Sequence, residues 1–248
     1  MKTAIIIGSS IEVNPLNILA NTSTRAYHDP EERFRQTMLG LSTIYNQFKD
    51  ATVYLIDSST NYQSYKERIE KAFKPIRFIP LIELHREVQQ TVITYPHKSY
   101  CEALMFLEFF KHYEKELLEH DFIIKSTGRY LTHFRNLKFD TSKIYFKEEW
   151  AFNWKDEWNY NDTILDQRKK QGDNTIRQYP SVVFGMGIKH YSKMVKWFED
   201  IAKLTHENPQ FDIECLLYYF TRSYPKLVKT MDVQITGFTG VKNEFHWY

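Results

Sequence analysis

The sequence predicts an α/β protein: a mostly parallel central sheet with helices on both faces. Three observations carry this. Apolar runs at residues 4–8, 52–56 and 76–80 are short enough for strands and too short for helices. Helical patterns at 30–48 and 64–72 separate them. The resulting order, strand, helix, strand, helix, strand, is that of a parallel sheet covered on both sides.

Ala4-Ile5-Ile6-Ile7-Gly8 is the first strand, too brief for a signal-peptide core or a membrane span. A polar loop over 9–28 follows, rich in Ser, Asn and Thr, as functional loops are. Asp29-Pro30-Glu31-Glu32 then starts a helix, with Asp as N-cap, Pro at the first helical position and Glu closing a capping box. Phe34, Met38, Leu41, Tyr45 and Phe48 step by four and three and give it one buried face. The β-branched and aromatic run 52–56 is the second strand, and it hands over to Asp57-Ser58-Ser59-Thr60-Asn61. After the third strand, residues 81–96 fit a short helix or a loop. Ser99-Tyr100-Cys101-Glu102 reads as a second capping box, opening a helix that buries Leu104, Leu107, Phe110, Tyr113 and Leu117. Lys98 stands just before its positive end, which suits either an anion or plain solvation.

Asp121 leads into Phe122-Ile123-Ile124, a fourth buried strand, and the chain then turns polar at Lys125-Ser126-Thr127-Gly128-Arg129-Tyr130. Ligands of open α/β sheets collect beyond the carboxyl ends of the strands, and a Lys, two hydroxyls, a Gly and an Arg suit a diphosphate. Further strands are expected at 143–146 and 181–184, the latter ended by Gly185-Met186-Gly187. Between them lie a Trp- and Asn-rich region, 150–161, and a charged surface loop, 167–174. Helices follow at 190–204 and 212–223, the second with Asp212 and Glu214 in its first turn, and the tail 231–248 reads as a strand, a Gly turn and an aromatic end.

Lys plus Arg number 33 against 31 acids, a net charge of +2 with no long basic block, which argues against a nucleic-acid partner. Cys101 and Cys215 sit in apolar helical patterns, as reduced core thiols of a cytosolic protein do. No run is long enough for a membrane helix, so any membrane contact is expected to be peripheral.

The strand ending Leu55-Ile56-Asp57-Ser58-Ser59-Thr60-Asn61 is similar to the second strand of GT-A glycosyltransferases. In that Rossmann-like fold, an Asp followed by hydroxyls contacts the base and ribose of the donor. Ser23-Thr24-Arg25, the Glu31-Glu32-Arg33-Phe34-Arg35-Gln36-Thr37 helix and residues 125–130 resemble bacterial and viral surface-polysaccharide glycosyltransferases. The resemblance covers residues 4–135 by order and spacing. It implies one domain, with a nucleotide-sugar-binding half at 1–135 and an acceptor-binding half at 136–248. It also implies a UDP- or GDP-linked hexose donor, a glycan acceptor and a cytoplasmic place of work, at the membrane surface if the acceptor is lipid-linked. The chain contains no Asp-x-Asp; where that fold places its metal-binding motif stands Thr127-Gly128-Arg129. Lys125 and Arg129, helped by Arg25 and Lys98, are then expected to take over the work of Mg²⁺ or Mn²⁺ on the leaving diphosphate, although a divalent cation held by Asp121, Asp232 or His246 stays open. The expected donor-binding set is Arg25, Asp57, Ser58, Lys98, Lys125, Ser126, Gly128, Arg129 and Tyr130. Asp212 and Glu214 resemble the acidic pair that supplies the catalytic base of many inverting GT-A enzymes. Glu148, Glu149, Asp156 and Glu157 are weaker competitors.

The same residues admit plainer roles: Asp57 as a turn cap, Arg129 as a partner of a surface acid, Asp212 and Glu214 as helix-capping acids. Two other functions compete. A Rossmann-type enzyme such as a sugar-nucleotide reductase would want Gly-x-Gly-x-x-Gly after the first strand, where the chain has only Gly8-Ser9-Ser10. A noncatalytic carbohydrate-binding protein would account for 17 Tyr and 5 Trp, but such modules are usually β-sandwiches, and here strands alternate with helices.

Overall fold

The structure is a computed structural model that describes residues 1–13, 29–74, 76–153, 175–208, 211–238 and 245–247. Its first half follows the predicted alternation: β1 (Thr3–Ser9), α1 (Pro30–Gln47), β2 (Thr52–Asp57), α2 (Gln63–Ala72) and β3 (Ile76–Pro80). Residues 81–96 form two short helices, α3 (Leu81–Leu84) and α4 (Arg86–Thr94), before the long α5 (Lys98–Leu117) and β4 (Phe122–Thr127). Then come β5 (Tyr130–Phe134), β6 (Ile144–Phe146), β7 (Trp150–Asn153), β8 (Thr175–Gln178) and β9 (Phe184–Gly187). A 3₁₀ turn (Ile188–His190) leads into α6 (Tyr191–Glu207) and α7 (Ile213–Thr221), and β10 (Val228–Thr230), β11 (Val233–Phe238) and β12 (Phe245–Trp247) close the chain.

The central sheet has seven strands in the order β10-β6-β9-β4-β1-β2-β3. All its pairings are parallel except those of β9, which runs antiparallel to both β4 and β6. Period-two alternation along β1 sends Ala4 and Ile6 to one face and Ile5 and Ile7 to the other, all at most 1 % exposed. The first face is covered by α5, α6 and α7. The second is covered by α1, α2 and the small sheet β12-β11-β5.

Local chemistry explains most boundaries. Asp29 caps α1 as predicted, accepting from the N–H groups of Glu31 and Glu32 at 3.0 and 3.3 Å; the Glu32 carboxylate accepts from Gln36 one turn on. The start of α5 differs from expectation: His97 is its N-cap, taking the Tyr100 N–H on Nδ1 at 3.2 Å. Ser99 lies inside the first turn, and its hydroxyl accepts from Ile213 N, tying α5 to α7. The largest correction concerns β4. It continues through Lys125, Ser126 and Thr127, because its polar residues stay in register with Ile6, Ile7 and Gly8 of β1. The strand expected at 181–184 instead begins at Phe184 and runs through Gly187, whose residues pair with β4. β5, β7, β8 and β10 had no clear signal in the sequence.

One close approach fixes the helix that borders the site. A Cβ on Gly40 would lie 2.3 Å from the carbonyl oxygen of Gly128, so α1 can lie against residues 128–130 only with glycine there. Gly40→Ala is expected to destabilise the protein by about 1–3 kcal/mol through overpacking, measured by denaturant unfolding. An unchanged midpoint would show that the helix has room to move.

Candidate active site

Beyond the carboxyl ends of β1 and β4 lies a cleft of about 330 Å³. β1 brings Ser9 and β4 brings Thr127, with Gly128 bonded through its N–H to Gly8 O at 2.9 Å. The first turn of α1 contributes Arg33, the start of α5 contributes Lys98 and Glu102, and Arg129 and Tyr130 follow β4. Ser181, just before β9, and Glu214, in the first turn of α7, close the opposite wall.

The cleft has a cationic side. Arg33 is buried and donates from Nε to Ser10 O and Ile11 O at 2.9 and 3.1 Å. Burial pushes its guanidinium down to about 9, and the nearby Arg129 pushes the same way, against the pull of Asp57. Arg129 is half-buried, and burial likewise lowers its guanidinium from the usual value. Among the described residues no carboxylate pairs with Arg129. Two desolvated guanidinium groups near enough to repel one another are what an anion relieves. Ser9 Oγ, buried in the same lining and without a hydrogen-bond partner among the described residues, adds a hydroxyl.

It also has an acidic side, with two carboxylates driven apart. Burial would raise Glu102, but the Lys125 ammonium at 2.5 Å and Lys98 overcome this and hold it low. Glu214 is raised, first by burial and then by Asp212 and Glu102; Lys98 and a 2.6 Å hydrogen bond from Ser181 Oγ oppose the rise. Such a split in one pocket separates a permanently ionised group from one able to exchange a proton.

The sequence-predicted residues divide between the cleft lining and its surroundings. Lys98, Gly128, Arg129, Tyr130 and Glu214 line it. Asp212 does not: it is the N-cap of α7, accepting from Cys215 N at 2.7 Å. Lys125 is fully buried, bonded to Glu102 and to Ser181 O, and lies beneath the cleft instead of facing it. Ser126 is buried, its hydroxyl has no hydrogen-bond partner among the described residues, and it is not in the lining. Asp57 and Ser58 lie one layer down. The Asp57 carboxylate accepts from Ile11 N at 3.1 Å and Ser59 N at 2.9 Å, and the Ser58 and Ser10 hydroxyls bond at 2.6 Å. Both therefore hold the segment after β1 in the shape that carries Ser9 and Ser10 into the cleft. Arg25 lies outside the described residues, as do Asp156 and Glu157.

Arg33 was not singled out as a ligand from sequence; an Arg in the first turn of a helix has no local mark of burial. Ser181 and Glu102 were missed for the same reason. The thiol of Cys101, also in the lining, is pushed up to about 12 by burial and is inert.

A protein-held divalent cation fits poorly here. Among the described residues no three His, Cys, Asp or Glu side chains converge as a metal site. The position after β4 presents Arg129 where carboxylates would be needed.

The sequence matches no protein-family model, and comparison with curated proteins returns no match. Among solved structures, core-mannan synthase A of Aspergillus fumigatus, in its Mn/GDP form, superposes with a TM-score of 0.55 at 9% identity, over 95% of this chain and 74% of that one. The glycosyltransferase GlyE of Streptococcus pneumoniae gives 0.47 at 8% identity, over 93% and 45%. The galactosyltransferase LgtC, solved with donor and acceptor sugar analogues, gives 0.46 at 9% identity, over 92% and 72%. The likeness to the mannan synthase is one of fold, and the fold is GT-A.

Proposed function

We propose that this chain is a glycosyltransferase that moves a hexose from a nucleoside-diphosphate donor, UDP- or GDP-linked, onto a glycan acceptor. The observation that carries the reading is the pairing of two functions in one GT-A cleft: desolvated Arg33 and Arg129 on one side, and raised Glu214 on the other. The arginines, with Lys98, receive the diphosphate and offset the charge that grows on its leaving oxygen, a role divalent cations fill elsewhere. Ser9 and Tyr130 border the donor.

In an inverting transfer the acceptor hydroxyl oxygen attacks the anomeric carbon. The bond to the diphosphate oxygen breaks with its electron pair staying on the phosphate, and the hydroxyl proton passes to Glu214. Residues 1–135 then serve mainly the donor, and the part from 136 onward brings Ser181 and Glu214 to the acceptor side. Surface-polysaccharide or glycoprotein synthesis in the cytoplasm suits such chemistry. No helix among the described residues is long and apolar enough to cross a membrane.

The test is a thermal-shift screen followed by transfer assays. UDP, GDP or their sugars are expected to raise Tm, by the linkage of binding to folding, and transfer to a glycan is expected to persist in excess chelator. A shift with NADP alone would replace this reading by a reductase, and a shift with free glycan alone by a binding module. Transfer that chelator abolishes and Mn²⁺ restores would remove the arginines from their assigned role.

A further inference from the structure

A second concavity, of about 560 Å³, lies between α6 and the end of α7. Ile188, which opens the 3₁₀ turn before α6, donates from its N–H to Asp121 O at the amino end of β4, so Lys189 sits at the end of the strands opposite the cleft. The floor is aromatic: Trp197 is buried and stacks on Phe220 with 6.3 Å between ring centroids. The rim is basic. Lys193 Nζ stands 4.1 Å from the Tyr224 ring centre and Arg222 Cζ stands 4.2 Å from that of Tyr219. Lys189 and Lys196 complete the rim; the one acid in the lining, Asp200, is already paired with Lys196 at 2.7 Å. Among the described residues Lys189, Lys193 and Arg222 have no carboxylate partner.

With an overall net charge of only +2, this rim is a local excess of positive charge. Cations seated on aromatic faces keep their charged heads at the surface while their stems and rings form apolar ground. That amphipathic combination matches the interface of a bilayer, where phosphates lie above acyl chains. A single free phosphate is a poorer match: Lys189, Arg222 and Tyr224 are exposed, and an isolated anion gains little from solvated cations. An anionic leaflet presents many phosphates together, so the small contributions add.

We infer that this basic, aromatic-floored groove between α6 and α7 is a peripheral docking surface for the phosphate head groups of an anionic membrane. It leaves the cleft, at the opposite end of the strands, open to substrates, and it does not depend on what the cleft catalyses.

The test is co-sedimentation of the full chain with vesicles of phosphatidylglycerol and phosphatidylcholine, against vesicles of phosphatidylcholine alone. Binding is expected only to the anionic vesicles and is expected to fade at high salt. Lys193→Ala and Arg222→Ala should each weaken it about five-fold, and the pair together about twenty-five-fold. Lys71→Ala, at an exposed position of α2, should leave it unchanged, and an unaltered Tm certifies the fold of each variant. Equal binding to both vesicle types, no binding to either, or full binding by the Lys193/Arg222 double variant would overturn the inference. So would a thermal shift with inorganic phosphate, lost in the double variant, in a protein that does not sediment with anionic vesicles.

Discussion

Glu214→Gln is expected to lower the rate of glycosyl transfer about 10²–10⁴-fold, the usual worth of a positioned general base, while donor binding is kept. Gln preserves the shape and can still accept the hydrogen bond from Ser181 Oγ, so the loss would report the missing base and not a collapsed wall. Two further readouts come from the direction of the shift. Because the folded protein raises Glu214 above its ordinary value of 4.5, the acid limb of the kcat/KM profile should lie above the range of free carboxylates. For stability the sign is the reverse of a salt-bridged acid. The folded state holds the Glu214 proton where the unfolded chain has released it, so the contribution of this group to stability falls as pH rises from about 4.5 through the raised folded value. The Gln variant should lack that fall and be more stable than the parent at neutral pH. Near-normal turnover in the variant would take Glu214 out of the mechanism.

Arg129→Met should weaken the binding of the nucleoside diphosphate about ten- to hundred-fold, from the loss of charge-assisted hydrogen bonds to phosphate. The ligand-free protein should melt no lower than the parent: burial disfavours the charged Arg129, and Arg33 is a like charge, so removing Arg129 relieves a cost present at all pH values below its lowered folded value. The two effects together separate a ligand site from a structural ion pair, whose loss would lower Tm. Isothermal titration with UDP or GDP and a melting curve without ligand measure both. Unchanged affinity together with a lower Tm would place Arg129 in the scaffold.

The first three strands and the two helices between them were legible because their signals are local. Short apolar runs, a four-and-three apolar step and the Asp29-Pro30 start all act over a few residues, and the structure places β1, α1, β2, α2 and β3 within one or two residues of expectation. The end of β4 was not legible for the opposite reason. Lys125 and Ser126 look like loop residues, and they remain in the strand because β1 pairs with them and because Glu102, from a different helix, neutralises the Lys125 charge. β5 was hidden in the same way: its pairing partner β11 lies about a hundred residues downstream.

By itself the sequence determined the parallel α/β arrangement and that polar groups, Arg129 and Tyr130 among them, gather where strands end. It also marked the first turn of the helix at Ile213–Thr221 as acidic. Only the tertiary structure decided which of those groups meet. It turned Asp57 and Ser58 inward to shape the segment after β1, gave Asp212 to a helix end and Glu214 to the cleft, and set Arg33 beside Arg129. The physical reason is that ionisation and desolvation depend on neighbours in space. Ser181 and Glu214, 33 residues apart in the chain, share a proton-bearing contact that no local pattern encodes.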